Sequence, residues 1–538
     1  MRGHAAAERC GARAPPASHR SETIVRFPRS SGLLLHPTSL PGPFGIGEIG
    51  GEARAFVDFL AGAGQSLWQM LPLGPTGFGD SPYQCFSSFA GNPLLVSLEG
   101  LIEDGLLESA DVERRPAFPH GSVAYGAVIP WKRALLERAA DRFRSAPPPA
   151  IGSAFDAFCR EHAVWLDDYA TFMAVKEAHG GAPWNEWEPE LVRREEGALR
   201  RWRERVEIGL HRHRFMQFAF FRQWQSLRAH ARSRGIRLMG DAPIFVAYDS
   251  ADAWAHPELF FLDERGLPTV IAGVPPDYFS KTGQRWGNPL YRWEVLARDG
   301  FRWWIERLRA LFEQCDIVRL DHFIGFTRYW EIPATEPTAI KGHWVPGPGE
   351  ALFHAVESAL GDPLIVAEDL GAVTAEVESL RDQFEFPGMK VVTMAEWSDP
   401  KNPFLPHNFA RNYVAYTSTH DSETAAGWLA GATAAERARA LRYVGGTADQ
   451  FAAGLIRCVM ASVADTAVLP VQDVLGLGSE GRMNVPGRLG GYWSWRLTER
   501  LDGGHRDFLA EMADLYGRRP TSKPETRAGA GGDPSRAG

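Results

Sequence analysis

The sequence predicts an α/β fold, a (β/α)8 TIM barrel with helical insertions on one rim. Three observations predict it. Eight short apolar runs recur along the chain, helical stretches separate them, and most runs carry an ionisable residue at or just past their apolar part. Apolar runs without polar alternation suit a parallel sheet covered on both faces. Eight of them with intervening helices suit closure into a barrel rather than an open sheet.

In chain order the runs occupy 32–36, 66–75, 236–245, 315–323, 364–371, 389–397, 412–421 and 466–476. At or just past their apolar parts stand His36, Asp241, Arg319, Asp321, His322, Glu368, Glu396, His420, Asp421 and Asp473. The carboxyl ends of barrel strands share one rim, where active sites form. A single strand-end Asp often caps the next helix, but capping alone does not explain ten ionisable groups converging on one rim.

The runs are unevenly spaced. Residues 76–235 exceed what one helix requires, and apolar periodicity marks helices over 131–146, 154–179 and 206–235. This region is read as a helical insertion at about 80–230 within a barrel unit spanning 29–518. Stretches 251–296 and 331–350, rich in Pro, Gly and Trp, are read as long loops forming binding walls or lids. Residues 1–28 are expected to be a disordered extension, since they are Arg- and Ala-rich and lack the apolar centre of a secretory signal. Residues 519–538, rich in Pro and Gly and poor in apolar side chains, are expected to be a disordered tail.

Composition removes several classes of partner. A net charge of −8 argues against nucleic acid, which requires a basic face. No run reaches the roughly 18 apolar residues of a membrane span, so no membrane partner is expected. Cys10, Cys85, Cys159, Cys315 and Cys458 are odd in number and widely spaced, without a CxxC pair. They suggest neither a disulfide framework nor a metal site, and fit a reducing, cytoplasmic location. The 18 Trp could stack on sugar rings, although composition alone favours core packing.

The rim residues fit the cleavage of an acetal. One carboxyl group must protonate the leaving oxygen while another traps the oxocarbenium-like centre. The two lie about 5–5.5 Å apart when anomeric configuration is retained, and they need opposite protonation states. Arg319 and Asp321 are two apart on a strand and so share a face. The Arg319 charge is expected to hold Asp321 ionised, as a nucleophile requires; a buried structural Arg–Asp pair is the alternative. Glu368 ends an apolar run, where a raised pKa would suit a proton donor. Physics alone does not separate it from Asp369. Asp421, beside His420, offers a third carboxylate for sugar hydroxyls. No metal constellation is evident, and the mechanism requires neither metal nor cofactor.

Assembled in order, these segments resemble the amylomaltases, or 4-α-glucanotransferases, of the α-amylase clan. The matching stretches include LLLHPTSLPGPFGIGEIG from Leu33, GDSPYQCFSSFAGNPLLV from Gly79 and GDAPIFVAYDSADAW from Gly240. RWGNPLYRW from Arg285, IVRLDHFIGF from Ile317, VAEDLG from Val366, YTSTHDSET from Tyr416 and PVQDVLGLGSEGRMNVPG from Pro470 continue the set. The resemblance implies transfer of α-1,4-glucan segments by retaining double displacement. It assigns Asp321 as nucleophile, Glu368 as acid/base and Asp421 as transition-state stabiliser. It further assigns Tyr83, Asp241, Trp286, Arg319, His322 and His420 to substrate binding, with Asp241 supporting the site. The substrates would be maltodextrins, and the chain is expected to act as a monomer or weak homo-oligomer. A retaining hydrolase with water as acceptor would use the same residues. A glycan-binding protein without catalysis would be expected to lack one carboxylate. This chain departs from the family pattern at Ala242, at Ser422-Glu423 and around Glu396, which is read as a rim salt-bridge partner.

Overall fold

A computed structural model of the chain describes residues 27–276, 280–488 and 490–520. The expected extension and tail, 1–28 and 519–538, lie outside these residues except at their inner ends. Eight strands form one parallel sheet: β1 (Ser30–Leu34), β2 (Leu67–Gln69), β3 (Arg237–Ala242), β6 (Ile317–Leu320), β9 (Ile365–Ala367), β10 (Gly388–Val391), β11 (Tyr413–Tyr416) and β12 (Thr466–Pro470). Their order is β10-β11-β12-β1-β2-β3-β6-β9. Ala367 N donates to Pro387 O at 2.9 Å, which joins the last strand to the entry of the first. The sheet is therefore a barrel, and each of the eight apolar runs supplies one strand.

Burial on both faces explains why these strands lack alternation. Leu34, Leu67, Met239, Ile317, Val366, Val414 and Val468 pack together inside the barrel. Their neighbours Leu33, Trp68, Leu238, Val318, Ala367, Ala415 and Leu469 join the core shared with the surrounding helices. Since side chains alternate, this parity sends Asp241, Arg319, Asp321 and Glu368 inward and Asp369 outward.

Between β2 and β3 the chain forms the helices Tyr125–Ser145, Pro149–Glu161, Ala163–Ala178, Glu196–Arg205 and Glu207–Ser233. The single helix expected over 154–179 is two, broken at His162, whose ψ of 11° leaves the helical range. The first half buries only Phe158, whereas the second buries residues around much of its circumference. The turn re-aims the chain to satisfy both.

The supposed loops at 251–296 and 331–350 also differ from expectation. They contribute to a four-stranded antiparallel sheet of β4 (Val270–Val274), β5 (Gln284–Pro289), β7 (Arg328–Pro333) and β8 (His343–Pro346), ordered β5-β4-β7-β8. Glycine disguised it. A Cβ at Gly273 would lie 2.2 Å from Gln284 O, so close strand approach demands the residue that lowers strand propensity. Among the described residues no helix is long and apolar enough to cross a membrane.

The insertion is tied to the rim by a buried ion pair. Lys132, fully buried in Tyr125–Ser145, bonds Glu48 in the loop after β1, and Glu48 also accepts from Leu98 N at 3.2 Å. Removing one partner of such a pair costs about 3–5 kcal/mol, while replacing both is far milder. Lys132→Met should therefore lower stability by about that amount in urea unfolding. The double variant Glu48→Gln/Lys132→Met should recover much of the loss.

Candidate active site

Register builds the floor of the barrel mouth. Asp241 on β3 is the direct pairing partner of Arg319 on β6. Arg319 Nη1 donates to both Asp241 oxygens at 2.8 Å, and Nη2 reaches Asp321 Oδ1 at 3.0 Å. The Asp241 side chain is fully covered and that of Arg319 nearly so, whereas Asp321 keeps 25% exposure toward the mouth. Asp241 thus meets Arg319 rather than the open mouth.

Glu368 follows β9. Its Oε2 accepts from His322 N at 2.7 Å and its Oε1 from Leu370 N at 3.2 Å. Asp369 points away and braces the fold, accepting from Met389 N at 2.7 Å and pairing with Arg381. His322 has φ 51°, and its ring meets Trp286 of β5 edge-on at 4.9 Å.

The third carboxylate sits on the loop after β11. Asp473, fully buried, accepts from Thr417 Oγ1, Ser418 Oγ and Ala425 N, which fixes that loop from beneath. Asp421 Oδ1 accepts from Asn484 Nδ2 at 2.7 Å, and Oδ2 lies 3.4 Å from His420 Nε2. Tyr83 links this loop to the floor: its hydroxyl donates to Asp241 Oδ2 at 2.6 Å and lies 2.8 Å from His420 Nε2. Because the phenol gives its proton to Asp241, His420 Nε2 must carry the hydrogen in the second contact.

Burial and neighbouring charges separate the carboxyl groups. Burial first, then the Asp321 charge, lifts Glu368 well above the ordinary range, against Arg319 and the His322 N–H. Burial also lifts Asp321, to about 6, and the Asp241 and Asp421 charges add to it. The expectation that Arg319 would hold Asp321 below its usual value is therefore corrected. The ion pair is present, but desolvation and two neighbouring carboxylates outweigh it. Burial would lift Asp421 too, yet the His420 charge, its ring N–H and the Asn484 amide hold it down at about 2. Burial lowers His322 to about 4, so its imidazole is neutral at pH 7.

The structure gathers Tyr83, Asp241, Trp286, Arg319, Asp321, His322, Glu368, His420 and Asp421 into one contiguous mouth. Glu396 lies apart: it is exposed and accepts from Ser398 N and Oγ, closing a turn instead of making a rim salt bridge. Asn484, quoted in the sequence only as part of a motif, bonds Asp421 directly, and its N–H donates to His420 O at 3.0 Å. Trp493, not singled out from sequence, packs against Tyr83 and His420. The RMNVPG motif was the available signal for the first; nothing in the sequence distinguished the second from other Trp.

A closed parallel barrel whose mouth holds carboxyl groups of unlike proton affinity around one arginine defines a glycoside-processing barrel enzyme. Residues 35–502 match the family model described as 4-alpha-glucanotransferase, and the chain belongs to that family. It is 54% identical over 503 residues to the 4-alpha-glucanotransferase of Thermus thermophilus, covering 92% of this chain and 100% of the relative. Identity to that of Synechocystis sp. is 50% over 499 residues, covering 91% and 98%. Among solved structures, the amylomaltase from Streptococcus agalactiae in complex with acarbose superposes with a TM-score of 0.88 at 38% identity, covering 91% of this chain and all of that one.

The raised Asp321 value carries a stability consequence. Between about pH 4 and 6 the folded carboxyl holds a proton that the unfolded one has lost, so stability falls as pH rises through that window. Asp321→Asn removes this cost. At pH 7 the variant should be more stable by on the order of 1–2 kcal/mol, short of the roughly 3 kcal/mol of the whole shift because Arg319 loses one carboxylate. Thermal melts against pH check it: the gain should vanish below pH 4, and a variant less stable at pH 7 would contradict the assignment.

Proposed function

We propose that the mouth performs α-1,4-glucan transfer with Asp321 as nucleophile, Glu368 as acid/base and Asp421 as stabiliser. The chain is a 4-alpha-glucanotransferase by family, and the family is retaining. The observation that carries the assignment is the contrast at the rim. Asp321 lies on Arg319 and faces the opening, while burial and the Asp321 charge lift Glu368 well above the usual carboxylate range.

In the first half-reaction Asp321 attacks the anomeric carbon of the donor as the bond to the leaving oxygen breaks. Glu368 gives that oxygen its proton, and the shortened glucan departs. In the second half Glu368 takes the proton from the 4-hydroxyl of an acceptor glucan. The acceptor oxygen then displaces Asp321, the ester breaks, and a new α-1,4 bond forms. Asp421, ionised throughout the neutral range, accepts hydrogen bonds from sugar hydroxyls that strengthen as the ring distorts.

Arg319, His322 and His420 face the donor glucose in this reading, and Tyr83 lies beside the cleaved bond. Trp286 offers an acceptor-side face from the antiparallel sheet. Asp241 acts through Arg319 and Tyr83, which already occupy both its oxygens. Residues 29–518 are read as one barrel unit with its helical insertion at about 80–230. The unpaired Cys85, Cys159, Cys315 and Cys458 support a reducing, cytoplasmic setting. A monomer or weak homo-oligomer would suffice, since the mouth draws all these residues from one chain.

Incubation with maltotriose tests transfer: glucose together with a ladder of longer glucans is expected, and only shorter sugars would indicate hydrolysis. The pH profile tests the pair. kcat/KM should rise through about pH 6 as Asp321 ionises and fall again at higher pH as Glu368, lifted well above its usual range, loses its proton. A profile flat from pH 4 to 7 would remove Asp321 from its role.

A further inference from the structure

Three aromatic rings pack together beside the carboxylates. Tyr83 and His420 are stacked, with centroids 5.4 Å apart and planes at 14°. Trp493 tilts against both, at 5.7 and 6.1 Å. Among the described residues the His420 ring is hydrogen-bonded through Nε2 alone, and its buried Nδ1 has no partner. A ring held at one nitrogen can still tilt about that bond, so packing must fix its plane.

The backbone of Trp493 is itself constrained. Its φ of 64° lies in the left-handed region, which costs a bulky L residue about 1–3 kcal/mol and persists only where the surroundings over-determine it. Here they do. Trp493 N donates to Met483 O at 2.8 Å, and Trp493 O accepts from Tyr125 Oη at 3.0 Å. Tyr125 is the first residue of the insertion helix Tyr125–Ser145. The flanking residues are paired as well: Val123 N donates to Ser494 O at 2.7 Å, and Arg496 N to Gly121 O at 3.1 Å. Farther along the same helix, Lys132 holds the rim loop through Glu48.

We propose that Trp493 is a positioning residue: pinned in its left-handed conformation by the insertion through Tyr125, its indole fixes the stacked Tyr83–His420 pair and thereby Asp421. This rests on the roles given above to Tyr83 and Asp421. It gives the helical insertion a part in the reaction, since a hydroxyl at the start of its helix Tyr125–Ser145 sets the plane of two rings in the mouth. Trp493 touches no reacting atom, so its effect should fall on kcat, where geometry at the transition state is read, and spare KM.

Kinetics with maltotriose on the full chain test this. Trp493→Ala should lose about tenfold or more in kcat with KM within about twofold, as small misplacements near a reacting centre do, and Trp493→Phe should recover most of the loss. Trp493→Gly separates positioning from stability. Glycine accepts φ 64° without strain, so this variant should melt no lower than Trp493→Ala and yet be as slow. Tyr125→Phe removes one hydroxyl and little volume; about a threefold loss in kcat is expected from the slackened backbone, which also tests the link should the smaller variants fail to fold. Activity that follows melting temperature across the series, or a rise in KM at constant kcat, would overturn the inference. Asp321→Asn assayed in parallel separates the two layers: its remaining active would overturn the reading of the mouth, whereas an inactive Asp321→Asn beside a fully active Trp493→Ala would overturn this inference alone.

Discussion

A guanidinium almost wholly withdrawn from water lies at the floor of the mouth, and the surrounding structure is arranged to keep it paired. Arg319 reaches Asp241 through one nitrogen and Asp321 through the other. Its Nε finds only the Met389 sulfur, at 3.4 Å. Such a cation is tolerable only while it stays paired, and the fully covered Asp241 is the partner that keeps it so. That demand falls on strand register. Asp241 and Arg319 are direct partners across β3 and β6, and a slip of one residue would turn Arg319 out among the helix-facing apolar side chains. The barrel's hydrophobic parity and its central ion pair therefore specify the same alignment.

The pairing is deliberately incomplete on the open side. Asp241 is saturated by Arg319 and Tyr83, whereas Asp321 has one partner and a path to the mouth. Burial makes both Asp321 and Glu368 reluctant to ionise, so the folded protein carries a cost that the unfolded chain does not. The large core offsets it. An arriving positive charge, such as an oxocarbenium-like centre, is the species that would relieve it. Asp421 is treated oppositely, held ionised by His420 and Asn484, so neighbouring carboxyl groups differ in their readiness to ionise.

Much of this was legible in the sequence because both-face burial leaves a direct mark. All eight barrel strands announced themselves as unbroken apolar runs, and carboxylates at their ends marked the rim. Glu368 and Asp369 looked equivalent until parity along β9, with Val366 inside and Ala367 outside, decided the matter. The antiparallel sheet stayed hidden because Gly273 and its neighbours meet a steric demand that lowers strand propensity. The raised proton affinity of Asp321 is not legible there, because a sequence displays the nearby Arg319 but neither the depth of burial nor the converging Asp241 and Asp421. Asn484 and Trp493 come from a segment remote in sequence, and only the folded chain brings them to His420 and Asp421.

One residue shows how closely these parts are joined. His322 follows Asp321 and adopts φ 51°, a left-handed conformation that histidine tolerates better than most residues. The turn ends the strand and aims the His322 N–H at Glu368 Oε2, 2.7 Å away. It also places the ring edge-on to Trp286, on the antiparallel sheet. The backbone of the strand that carries Asp321 thus touches the proposed acid/base on one side and the proposed acceptor face on the other. An extended residue here would carry the chain past both. The local strain at His322 is best understood as the cost of letting a single strand end register β6, β9 and the second sheet against one another.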